Sequence, residues 1–161
     1  MAIIRIALLM PLFITPFATQ SVAQAEIELF QACFAAKNSA NEPAGDCVNE
    51  AQAVCLSFDP GSQAAAGTLC FVKAKEEWAA GIAAQMDQIM AMADPQIAAV
   101  AGIEVKYDLL SNLLQCERMR DLALLTDMPG DAIVLQFARC DATATGLVLT
   151  KLMLHSRGLL E

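Results

Sequence analysis

The chain has one histidine, one tryptophan and one tyrosine in 161 residues, and 10 lysines and arginines against 18 acids. Each shortage excludes something. With His155 as the one imidazole, a histidine-rich zinc centre or a Ser-His-Asp relay lacks parts. No C-x-x-C pair is present, and the closest cysteines in sequence, Cys47 and Cys55, are too far apart for a metal knuckle. No glycine-rich phosphate loop occurs. A formal net charge of −8 leaves no basic stripe for nucleic acid. The carboxylates Asp59, Glu76, Glu77, Asp131 and Asp141 sit in polar stretches that would not raise a carboxyl pKa, so they read as solvated faces and caps. No catalytic residue, cofactor or metal is expected, and the chain is not read as an enzyme.

Residues 1–25 read as an export signal. Arg5 is the positive start, Ile6 to Ala18 the apolar run, and Ala23-Gln24-Ala25 the small-residue cleavage site. A membrane-spanning helix needs roughly 20 apolar residues, and Pro11 and Pro16 interrupt this run. Cleavage after Ala25 would leave a periplasmic or secreted single domain, 26–161, with no stable membrane anchor. It would also remove one cation and no acid, giving a net charge of −9. Such a surface draws basic partners and repels anionic membranes.

What remains is helical in pattern. The organising stretch is Thr68 to Met92, where Phe71, Trp78, Ile82, Met86, Ile89 and Met90 return to one side of a 3.6-residue helix. Phe71, Trp78, Ile82 and Met86 are the predicted core. Lys73, Lys75, Glu76 and Glu77 lie around the other side and read as a hydrated face, with a partner patch as the alternative. The spacing predicts a first helix over Glu26 to about Ser39, with Ile27, Phe30, Cys33 and Phe34 inward. A second runs from Asp46 to Leu56, with Cys47, Val48, Ala51, Val54 and Cys55 inward. The central helix covers about Ala64 to Ala93. Asp94-Pro95 caps and opens a fourth, whose Ile97, Val100, Ile103, Tyr107, Leu110 and Leu114 recur every three or four residues towards Leu125. Asp131 is the expected cap of a fifth, which would bury Ile133, Val134, Phe137, Cys140, Ala144, Leu147 and Val148 on the way to Glu161. No strand pattern or repeat appears. The fold class is an all-α, disulfide-stapled bundle of about five helices.

Six cysteines, at 33, 47, 55, 70, 116 and 140, imply three disulfides in an exported chain. Cys116 and Cys140 flank the Pro129-Gly130 turn almost evenly, so antiparallel helices bring them level. Cys33, Cys47, Cys55 and Cys70 then pair either as 33–47 with 55–70 or as 33–55 with 47–70. Met86, Met90 and Met92 share one helix, and thioethers can hold Cu(I) in an oxidising compartment. As continuations of the Phe71–Trp78–Ile82 stripe they read as core filler.

The order Cys33, Cys47, Cys55, a Gly/Thr-containing loop from Asp59 to Thr68, Cys70, then Trp78, resembles the LprI-type lysozyme inhibitor family. Cys116, Cys140 and Thr145 extend the likeness over most of the chain after residue 25. The chain departs from the family's polar signature at Ala79, Ile82, Ala83 and Met86, and again at Asp108, Asn112 and Leu113. The resemblance implies a small exported helical protein that inhibits a basic, lysozyme-like muramidase. The alternative is a non-enzymatic envelope interaction or assembly protein on the same scaffold.

Overall fold

Among the described residues, Gln52 makes the helix count six rather than five. The computed structural model describes residues 22–157, with side chains from residue 27. The expected signal segment, apart from the start of the first helix, and the last four residues lie outside the described residues. The helices are α1 (Val22–Ser39), α2 (Asp46–Ala51), α3 (Ala53–Leu56), α4 (Ala64–Met92), α5 (Pro95–Ala123) and α6 (Gly130–Ser156), with no strand among the described residues. At Gln52 the backbone leaves helical geometry (φ −92°, ψ 11°) and divides the predicted second helix into α2 and α3. Its side chain is buried, and Gln52 Oε1 accepts from Thr143 Oγ1 on α6 at 3.1 Å.

The boundaries follow local chemistry. After α1, Asn41 takes positive φ (58°) while Glu42 N–H reaches back to Lys37 O at 2.8 Å. Asparagine tolerates that conformation at a helix end better than most residues. Between α4 and α5, Asp94 Oδ1 accepts from Gln96 N–H at 2.8 Å, with Pro95 in the first turn. That is the predicted cap, made as expected. At α6 the expectation is corrected. The helix starts two residues earlier, with Pro129 at the cap position, and Asp131 makes no cap hydrogen bond. Asp131 instead lies in the first turn, where its charge favours the positive end of the helix dipole.

Three long helices carry the fold. On α4 and α6 the partners Gly67–Leu135, Lys75–Asp141, Gly81–Leu149 and Gln85–Ser156 advance together along both helices, so these helices run parallel. On α5 and α6 the partners Cys116–Cys140, Asp108–Lys151 and Glu104–His155 run in opposite senses, so these two are antiparallel. α6 is therefore the central element, with α4 on one side and α5 on another. It is long and apolar enough to cross a membrane by composition, yet 56% of its most apolar window is buried inside the bundle.

Phe71, Trp78 and Ile82 are buried as predicted, and Met86 is half-buried against the core. Trp78 is 1% exposed and meets Phe30 of α1 edge-on, ring centres 5.1 Å apart. Such a pair adds about 0.5–1.5 kcal/mol beyond its area. Three disulfides complete the packing: Cys33–Cys47, Cys55–Cys70 and Cys116–Cys140, with Cα atoms 5.4–5.6 Å apart. The last is the expected bridge, and the first two select one of the two alternatives.

Several predicted inward residues face out. Val54, Met90, Val134 and Leu147 are exposed. Val54 turns out because the helix breaks at Gln52. On α6, contact with both α4 and α5 shifts the buried arc to Leu135, Ala138, Asp141, Ala142, Thr145 and Leu149. Lys75, expected to be hydrated, leans over Asp141, with Nζ to Oδ2 at 2.7 Å. Asp141 is buried, so the ammonium neutralises a carboxylate that would be costly to leave alone.

Candidate interaction surface

The described residues bring no reactive groups together. All six cysteines are bridged, and no three of His, Cys, Asp and Glu approach closely enough to hold a metal ion. His155 stands exposed near the end of α6, its Nδ1 3.4 Å from Glu104 Oε2. The methionines considered for copper do not share a setting: Met86 packs inward beside Gly102 while Met90 and Met92 face solvent. Lys73 and Glu76 are exposed, as expected for a hydrated face.

The surface offers two other features. The first lies between α5 and α6, beside the Cys116–Cys140 bridge. There Asn112 and Gln115 of α5 face Gln136, Arg139 and Thr143 of α6 across a groove of about 510 Å³, with Asn49 of α2 at one edge and Met119 and Leu147 as apolar lining. The groove stays open because its walls carry medium-length amides rather than interlocking aliphatics. Arg139 is its one charged side chain, exposed and without an ion-pair partner among the described residues. Thr143 is held from behind by its bond to Gln52. One turn before Asn112 on α5, outside the groove lining, Asp108, where the chain departs from the resembled polar signature, is tied to Lys151 at 2.6 Å. Lys151 Nζ is pushed above the ordinary lysine range by that hydrogen bond. Asn112, the second such position, lines the groove itself.

The groove was not anticipated from sequence. A signal did exist: Gln136, Arg139 and Thr143 recur at helical spacing, as do Asn112 and Gln115. Nothing local says that these two polar rows meet.

The second feature overturns an expectation. Ile97, Val100, Ile103, Tyr107, Leu110 and Leu114, the apolar row predicted to face inward, are between 41% and 65% exposed. α5 instead turns Ala98, Ala101, Val105 and Leu109 to the core, with Cys116 and Ala123 buried further along. The small side chains let α5 lie close to α6, and the large ones are left outside.

Comparison with protein-family models, curated proteins and solved structures finds no match to this chain.

Proposed function

We propose that the protein is an exported, non-enzymatic binding protein that inhibits a basic, lysozyme-like muramidase, with the groove between α5 and α6 as its contact surface. The observation that carries this reading is the groove's chemistry: a guanidinium set among neutral amides, on a rigid stapled scaffold. Glycoside cleavage generally relies on a pair of carboxyl groups. A planar guanidinium meets a carboxylate with two parallel hydrogen bonds, and flanking amides satisfy neighbouring polar groups. Arg139 is thus suited to occupy such a pair and block it.

Long-range charge supports the same partner. Lys37, Lys75, Arg120 and Lys151 are each engaged by a carboxylate of this chain. The other cations, Lys73, Lys106, Arg118, Arg139 and Arg157, are outnumbered by acids without an ion pair among the described residues, among them Glu28, Glu50, Glu76, Glu77, Asp87, Asp94 and Glu117. The outer field is therefore acidic, which would speed encounter with a basic enzyme and weaken with salt.

The test is inhibition of c-type lysozyme by the oxidised protein at low and physiological salt, repeated with Arg139→Gln. Stoichiometric inhibition by the wild type, weakened at least tenfold in the variant, is the expected result. No inhibition at micromolar protein would overturn the reading. The second reading, an envelope interaction or assembly protein, is favoured by the uncovered row on α5, and a native pull-down of an envelope partner insensitive to Arg139→Gln would support it.

A further inference from the structure

We propose that the outer face of α5 is a homodimer interface, formed by antiparallel pairing with the same face of a second copy. Val100, Ile103, Tyr107, Leu110 and Leu114 follow steps of three, four, three and four, the a/d spacing of a two-stranded helical seam. They lie on the side of α5 opposite Ala98, Ala101, Val105 and Leu109, which pack on the core. All five are between 48% and 65% exposed. Together they leave on the order of 500 Å² of apolar surface uncovered, towards the upper end of what a monomer shows. Adding the flanking side chains of α5 brings each copy near the roughly 800 Å² that a standard interface buries per partner.

Two heptads are too few for an isolated coiled coil. Here the helix is already held by α6 and the Cys116–Cys140 bridge, so pairing costs no helix ordering. The occupant follows from spacing and charge. A second copy supplies a row of the same length and spacing, and a two-fold axis closes the contact without leaving a free edge. Pairing centred between Tyr107 and Leu110 sets Ile103 against Leu114 and Tyr107 against Leu110. It also brings Glu104 towards Arg118 of the second copy, twice over. Arg118 has no ion-pair partner among the described residues, and Glu104 is half-exposed with only a 3.4 Å approach from His155. Parallel pairing would instead stack Glu117 on its own counterpart, the next position of the seam. Glu104, Glu117 and Asp121 beside the row outnumber Lys106 and Arg118, and this net acidity disfavours an anionic lipid surface.

The seam lies away from the α5–α6 groove, so it stands or falls independently of muramidase inhibition. The experiment is sedimentation equilibrium of the protein, produced from the full chain in an oxidising compartment, across micromolar to high-micromolar concentration. A mass that doubles with concentration is expected. Tyr107→Lys combined with Leu110→Lys should weaken association at least tenfold while leaving helical circular dichroism, and melting at concentrations where the wild type is monomeric, unchanged, since both residues are exposed in the single chain. Val134→Lys, at an exposed apolar site on α6, should leave association unchanged. Glu104→Arg should weaken the dimer, and adding Arg118→Glu should restore it. A single-chain mass at every concentration, or association indifferent to the Tyr107 and Leu110 changes, overturns the interface. Failure of the charge swap to restore pairing overturns the antiparallel arrangement.

Discussion

Gly146 of α6 and Val48 of α2 approach so closely that a Cβ on residue 146 would sit 2.6 Å from Val48 Cγ1. The same atom would stand 3.2 Å from Trp78 Cε2, so α2, α4 and α6 converge on one missing methyl group. Gly146→Ala should therefore destabilise by about 1–3 kcal/mol, although alanine is the better helix former. Gly130→Ala, where nothing lies within 4 Å, should be neutral or slightly stabilising. Urea unfolding of both variants checks the contrast, and equal midpoints would remove the close-approach argument.

Trp78→Ala empties the middle of the core beneath Phe30. The cost should be about 3–5 kcal/mol, the range for deleting a large buried aromatic side chain. A loss under 1 kcal/mol in the same assay would contradict the residue's burial.

Cys116→Ser made together with Cys140→Ser removes the staple between α5 and α6 without leaving a lone thiol. The chain between these cysteines is the longest of the three closed segments, with a separation of 24 residues. Its release should cost about 2–4 kcal/mol. Unchanged stability would mean that α5 is held by packing alone. That outcome is hard to reconcile with a core face built from Ala98, Ala101 and Val105.

Locally held carboxylates should keep their charge to lower pH than free ones, so acid acts on them last. Asp59 lies below the ordinary aspartate value of 3.8, chiefly because the Ser62 hydroxyl donates to it, helped by the Ser62 backbone N–H. Because its folded pKa is depressed, the stability it contributes is present above the unfolded value. That contribution is lost as pH falls through the aspartate range towards the folded value. Glu42, lowered by its hydrogen bond to Lys37, behaves in the same sense. An NMR titration should find the Asp59 midpoint below 3.8 in the folded protein. Ser62→Ala should raise it, and an unmoved midpoint would show that the hydroxyl is not the cause.

The legible parts of the sequence were those governed by neighbours along the chain. Asp94-Pro95 makes its cap within three residues, and Cys116 with Cys140 follows from a hairpin turn between two long helices. The α5 row was misread because periodicity identifies an apolar face without saying whether anything covers it. α5 has two such faces, and the one built from alanine and valine wins α6 because it permits closer approach. Gln52 breaks a helix that propensity would continue, and its buried side chain meets a residue 91 positions away. The groove was illegible for the same reason: its amides come from α2, α5 and α6, and meet only once the Cys116–Cys140 register is fixed.

Each disulfide joins cysteines that are consecutive in the chain, and none of the closed segments overlaps another. A polypeptide delivered N-terminus first can seal Cys33 to Cys47 before Cys55 emerges, and Cys55 to Cys70 well before Cys116. No correct bond must wait for a distant partner, and none must be opened to admit a later one. Oxidation can then keep step with delivery of the chain and needs a thiol oxidant far more than a reshuffling isomerase.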